Sequence, residues 1–171
     1  ASTSDSPDGS IVAKGAAAQI LRDDFLTSQT TRKVLTCIGC ANNSTLNASG
    51  ATAFESGNAA ITQAMLNVSS AADRTALINW VRGTDNNGDE LGPGGTTTIR
   101  PSVHGDVLHS RPAAVSYGGS LGVVVFYGAN DGMLHAFDAD PASGAELWAF
   151  IPTFSLPNLH QLANTDYPTN H

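Results

Sequence analysis

Gly122-Val-Val-Val-Phe-Tyr-Gly-Ala-Asn-Asp-Gly-Met-Leu-His-Ala-Phe-Asp-Ala-Asp140, followed by Glu146-Leu-Trp-Ala-Phe-Ile-Pro152, decides the fold. Residues 123–127 form an apolar, β-branched and aromatic run, which suits a strand buried on both faces. Asn130-Asp131-Gly132 is a hairpin-turn signal, because these residues tolerate positive φ at little steric cost. Residues 133–137 resume extended structure, residues 138–144 are rich in turn formers, and residues 147–151 form a further strand stopped by Pro152. Three short antiparallel strands over about thirty residues make most of one β-propeller blade.

Outward from this stretch, Ala113-Ala-Val-Ser-Tyr117 is a strand joined to it by the turn Tyr117-Gly-Gly-Ser120. On the N-terminal side, residues 11–25 carry Val12, Ala16, Ile20 and Leu21 at helical spacing. Asp23 and Asp24 are unfavourable at a helix C-terminus, so this helix is expected to stop near them. Thr31-Arg-Lys-Val-Leu-Thr-Cys37 reads as a short strand, and residues 38–57 as a polar loop anchored by Phe54. Residues 58–82 read as helical: Ile61, Met65 and Val68 share one face, and a restart at residues 69–73 puts Leu77, Ile78 and Val81 inward with Trp80 at the edge. Gly83 ends the helix, and residues 84–98 are turn-rich. Beyond Pro152 periodicity is lost.

At 171 residues the chain can bury a sizeable core. Charged residues are 13% of the sequence and the formal net charge is -7, with eight Lys and Arg scattered along it. Nucleic acid and anionic membrane are therefore poor partners, since phosphate binding needs clustered cations. No apolar run reaches the roughly 18 residues of a membrane-spanning helix, and the N-terminus lacks the basic and apolar regions of a signal peptide. The Asn-x-Ser/Thr sequons at Asn42, Asn43, Asn47 and Asn67 reflect the abundance of Asn, Ser and Thr.

The chemistry-bearing motifs are few. Asp85, Asn87 and Asp89 alternate oxygen ligands around Gly88, as calcium loops do, and make a calcium candidate. The Glu that closes an EF-hand loop at about its twelfth position is missing, Thr96 standing there, so a solvated Asx-rich turn is the preferred reading. Cys37-Ile-Gly-Cys40 has CxxC spacing, but no helix signal follows it and no His is close by. A local disulfide between Cys37 and Cys40 is the leading reading, with free thiols and then a redox site behind it. His104, Asp106, His109 and Arg111 lie within one short segment, where strand alternation scatters them over opposite faces. Asp131 and His135 are readable as an acid–base pair, although turn formation already accounts for Asp131. No nucleophile elbow, phosphate loop or paired-carboxylate signature is present.

Four segments in order, Ala76-Leu-Ile-Asn-Trp-Val-Arg-Gly-Thr-Asp85, Arg100-Pro-Ser-Val-His-Gly-Asp-Val-Leu-His-Ser-Arg-Pro112, Val124-Val-Phe-Tyr-Gly-Ala-Asn-Asp-Gly-Met-Leu-His-Ala-Phe-Asp138 and Glu146-Leu-Trp-Ala-Phe-Ile-Pro152, resemble the C-terminal region of the PilY family of type IV pilus biogenesis factors and tip adhesins. The resemblance implies a mainly β fold with helical insertions, a partial β-propeller with a quinoprotein-like blade, as a fragment of a larger modified seven-bladed propeller. Residues 1–98 would be the helical, loop-rich lead-in, and residues 99–171 the first well-defined blade and the start of the next connection. It implies a non-enzymatic role in pilus assembly, retraction control and adhesion, located in the periplasm, the outer membrane or the extracellular pilus tip. The implied partners are the remainder of the propeller, minor pilins and a host or surface ligand. Calcium is implied at the level of the family, through a loop downstream of this chain. The alternatives are a quinone-dependent dehydrogenase-type propeller and a generic secreted β-propeller binding module. Any binding surface is expected in the loops at residues 38–57 and 84–98.

Overall fold

A computed structural model describes residues 16–41, 44–86, 99–100, 103–140 and 142–163. Its centre is a five-stranded mixed sheet in the order β1-β5-β4-β3-β2. Strands β2 (Ala113–Gly118), β3 (Gly122–Gly128), β4 (Leu134–Asp138) and β5 (Glu146–Ile151) form an antiparallel meander in chain order. The three-residue strand β1 (Val34–Thr36) joins β5 in parallel, pairing Val34 with Ala149 and Thr36 with Ile151. The Thr36 hydroxyl fastens this pairing by donating to the Ile151 carbonyl at 3.0 Å. The fold is mainly β, the sheet is not closed, and β1 and β2 are its edge strands.

The turns are where the glycines and Asx residues put them. Gly132, at φ 83, supplies the left-handed residue that the β3–β4 hairpin requires. The Ala129 amide closes that hairpin on the Met133 carbonyl at 3.0 Å.

Cross-strand partners share a face of the sheet, so the register sorts the side chains. Tyr127, His135, Ala149 and Val34 stand in one row, and Phe126, Ala136 and Trp148 on the opposite face. The first face is covered. Val34, Ala149 and Ile151 pack with Leu77, Ile78, Trp80 and Val81 of helix α2 (Ala71–Arg82), with Phe54, Ile61 and Leu66, and with Leu156 and Leu159. Phe137 forms a second small core with Ile99, Val103 and Leu21 of helix α1 (Ala16–Asp24).

Strand β3 departs from the expected burial. Only Val124 is buried, and its other residues are exposed or half-buried. The cause is its position beside the edge strand β2, every residue of which is exposed, so that β3 is left exposed or half-buried on both faces. Residues 58–68 also differ from the expected helix: they form successive turns, and the helix begins only at Ala71. Local polar bonds compete with the helix there. The Asn58 amide donates to the carbonyls of Ala51 and Ala53, and its side-chain oxygen accepts from the Ala60 amide. Arg74 donates to the carbonyls of Ser56, Asn58 and Ile61, which holds the turns against α2. Leu66, not Met65, therefore enters the core, and Val68 only flanks it.

Helix α2 starts at Ser70, whose hydroxyl accepts from the Asp73 amide at 3.0 Å and donates to the Asp73 carboxylate at 2.7 Å. Gly83, at φ 121, ends it as expected. Trp80 is buried rather than at an edge, because the Arg100 guanidinium covers its ring at 3.7 Å. Helix α1 turns in Ala18 and Leu21, leaving Ala16 exposed; residues 11–15 of the expected helix lie outside the described residues. After Pro152 a 3-10 turn, Thr153–Asn158, and the short helix α3, Leu159–Leu162, bury Leu156 and Leu159. Sequence periodicity missed this segment because elements this short show less than two helical turns.

Ile78 is fully buried between α2 and the sheet. Ile78→Ala should cost about 2–5 kcal/mol and Ser70→Ala about 1 kcal/mol, both read from urea unfolding midpoints.

Candidate functional site

The densest polar constellation is a chain of ions under the covered face of the sheet. Arg32, just before β1, grips Glu146, the first residue of β5, through both its Nε (2.7 Å) and Nη2 (2.9 Å). Glu146 Oε1 also meets His135 Nδ1 at 2.8 Å, and His135 Nε2 meets Asp131 Oδ2 at 2.9 Å. Asp131 in turn accepts the amides of Gly105 and Met133, each at 3.0 Å. All four side chains are buried. Buried charges are tolerable only when paired and hydrogen-bonded, and here two cations alternate with two anions.

The electrostatics follow from this alternation. Burial alone would depress the His135 imidazole, but the hydrogen bonds it donates to Asp131 and Glu146 outweigh it and raise its pKa to about 9. Burial alone would raise both carboxylates. Asp131 is instead held down to about 2, chiefly by His135, and Glu146 to about 2, chiefly by Arg32. Burial opposes the charge on Arg32 as well, and Glu146 reverses that, raising its pKa. Arg82, buried beside Arg32, is lowered by burial and by that neighbouring cation.

Two aromatic groups cap the chain of ions. The His104 ring stacks on the His135 ring with centroids 4.7 Å apart, and its Nε2 lies 2.9 Å from the Tyr127 hydroxyl. Tyr127 stacks on Phe137 at 5.7 Å. Burial, then the charge on His135, lowers the His104 pKa, and burial raises that of Tyr127. A protonated phenol donating to a neutral imidazole is the arrangement both shifts favour. Gly105 is required beside them, since a Cβ there would stand 2.3 Å from the Asp131 amide nitrogen.

The residues singled out from the sequence are distributed unevenly. Asp131 and His135 meet, and Asp131 does more than form a turn, because its carboxylate also anchors Gly105. His104 joins them, whereas Asp106 contributes only its carbonyl, to the Asn130 amide, and His109 and Arg111 are exposed. Asp85 is buried just after α2, while Asn87 and Asp89 lie outside the described residues. Cys37 and Cys40 are joined in a disulfide, with their Cα atoms 5.5 Å apart, at the end of β1. The described residues of the loop at 38–57 are largely exposed or half-buried apart from Ala53 and Phe54, and residues 42–43 of it and 87–98 of the second loop lie outside the described residues. Among the described residues no group of three His, Cys, Asp or Glu is placed to hold a metal ion.

Sequence reasoning passed over Arg32, Arg82 and Glu146. One signal was available: His135 and Glu146 occupy inward positions in otherwise apolar strands, where a charged residue demands a partner. Among the described residues, no buried side-chain oxygen or nitrogen of Arg32, Asp131, His135 or Glu146 lacks a hydrogen-bond partner within the protein.

Stability should therefore respond to pH at both ends. The His135 contribution is fully present below its ordinary pKa near 6.5 and is lost as pH rises through about 9. The contributions of Asp131 and Glu146 are present above about 4.5 and are lost as pH falls toward about 2. Melting temperature against pH should peak near about 6.5 and fall on the acid side in two stages, first below about 6.5, where burial and the neighbouring His135 charge oppose protonation of His104, and then toward about 2 as the two carboxylates protonate. Glu146→Gln should cost about 3–5 kcal/mol at pH about 6.5 and blunt the alkaline limb, because Arg32 and His135 both lose their shared carboxylate.

Comparison with known proteins gives a consistent direction. No family model matches the chain. No solved structure matches it. A type IV pilus biogenesis factor PilY1 homolog of Xylella fastidiosa is 32% identical over 113 residues, covering 53% of this chain and 9% of the relative. The type IV pilus biogenesis factor PilY1 of Pseudomonas aeruginosa strain PAK is 30% identical over 118 residues, covering 56% of this chain and 9% of its own length. The PilY1 of strain PAO1 matches at the same level. The matched stretch is thus a small part of each relative, and no helix among the described residues is long and apolar enough to cross a membrane. About half of this chain is a PilY1-like region, similar to type IV pilus biogenesis factors, the family that residues 76–152 resemble.

Proposed function

We propose that this chain serves a non-enzymatic part in type IV pilus biogenesis, as one blade and its lead-in within a larger β-propeller that presents loops to pilus components. The observation that carries the reading is the similarity of about half the chain to PilY1 factors. Control of retraction, adhesion at the pilus tip and association with minor pilins are the finer parts of the same proposal.

Two structural features support it. The meander β2-β3-β4-β5 has the four antiparallel strands of a propeller blade. Its uncovered face carries a row of half-exposed rings, with Tyr117 and Phe126 6.5 Å apart and Phe126 and Trp148 5.7 Å apart, beside exposed Val115 and Leu134. An apolar sheet face of this kind suits packing against a neighbouring sheet. The Cys37–Cys40 disulfide suits an oxidising location outside the cytoplasm. Calcium, implied for some family members, is assigned to no described residue.

Deleting the region equivalent to residues 76–152 from the intact parent protein should abolish surface pili while the truncated protein still accumulates. Normal piliation of that strain would sink the proposal, and a bound quinone absorbance in the purified parent would favour the enzymatic alternative. Trp148→Asp should cost this isolated chain less than about 1 kcal/mol yet destabilise the parent, where the face is covered. Equal effects in both would remove the propeller part of the reading. In material secreted to the periplasm, alkylation of Cys37 and Cys40 should require prior reduction, as seen by intact mass.

A further inference from the structure

The segment of residues 103–106 is held to the β3–β4 hairpin by two backbone links. The Gly105 amide donates to Asp131 Oδ2 at 3.0 Å, and the Asn130 amide donates to the Asp106 carbonyl at 2.9 Å. Because Gly105 lacks a side chain, the segment lies directly on the hairpin backbone. One side chain of this segment reaches into the site: His104, stacked on His135 and bonded to the Tyr127 hydroxyl.

We propose that His104 is an acid-operated latch: as a neutral imidazole it clamps residues 103–106 onto the β3–β4 hairpin, and its protonation releases them. The geometry makes the two protonation states unequal. In its Nδ1–H tautomer, neutral His104 accepts from the Tyr127 hydroxyl through Nε2. The protonated ring can only donate there, so the Tyr127 hydroxyl must turn to accept and its own half-buried proton loses this partner. It also lies face to face with His135, which two carboxylates keep cationic, at 4.7 Å between centroids.

The groups facing His104 are Tyr127 from β3, His135 from β4, Asp131 from the hairpin and Glu146 from β5. The two carboxylates favour a cation, but Asp131 is engaged by His135 and Gly105, and Glu146 by His135 and Arg32. Burial and the neighbouring His135 charge outweigh them and keep His104 neutral. Asp131 and Glu146 remain ionised, and His135 protonated, throughout mild acidification, so His104 changes charge within an otherwise constant site. The device does not depend on the pilus reading.

Hydrogen exchange of the whole 171-residue chain, corrected for intrinsic rates, tests the latch at the amides of Gly105 and Asn130. Their protection should fall at least about tenfold between pH about 7.5 and about 5, while the β4–β5 amides stay protected. His104→Gln keeps an acceptor for Tyr127 without a titrating ring and should show flat protection over that range, which separates His104 from the exposed His109 and the half-buried His160. Tyr127→Phe should move the transition to higher pH, because the neutral ring loses its hydrogen bond. Unchanged protection in the natural protein at pH about 5, or the same loss in His104→Gln, would overturn the proposal. If His104→Gln does not fold, an unmoved transition in Tyr127→Phe overturns it equally.

Discussion

The Arg32–Glu146 ion pair joins parts of the chain that are 114 residues apart, and much of the molecule's arrangement hangs on it. Arg32 lies next to the short strand β1, whose three residues pair in parallel with β5. A three-residue parallel strand is a weak attachment by its own hydrogen bonds. The fork of the guanidinium on Glu146, at the start of β5, sets where β1 lies along its partner. The same guanidinium donates to the Arg82 carbonyl at 3.1 Å, so the end of α2 is tied to the same point.

Arg82 completes the connection in the reverse direction. It donates to the carbonyls of Gln29, Thr30, Arg32 and Phe54. These carbonyls belong to irregular chain, which has no ladder to satisfy them. Arg74 does the same for residues 56–61. Buried arginines thus take the place of secondary structure along the lead-in and let a polar, loop-rich segment lie against a sheet. The arrangement costs desolvation of each guanidinium, which is offset because nearly every donor finds an oxygen.

On the other side of Glu146 the ion chain runs through His135 and Asp131 to Gly105. One continuous set of bonds therefore links the lead-in, the end of α2, two strands, the hairpin and the segment leading to β2. These bonds hold the described part of the fold together. The opposite sheet face carries the rings of Tyr117, Phe126 and Trp148, and β2 is an exposed edge.

The strands of the meander, the Asn130-Asp131-Gly132 hairpin, the stop at Gly83 and the helix over 71–82 were legible in the sequence, because period-two runs, turn residues and caps are local signals. The resemblance to pilus factors was legible too, in four motifs kept in order along the chain. Tertiary structure alone decided three things. It turned residues 58–68 from an expected helix into turns, since Arg74 takes the Asn58 and Ile61 carbonyls from a distance and the Asn58 side chain takes the Ala60 amide. It brought β1 to β5 and Arg32 to Glu146, a pairing that no local spacing encodes. It left both faces of β3 largely exposed or half-buried although its apolar run promised burial, because burial depends on what lies opposite a residue and not on the residue itself.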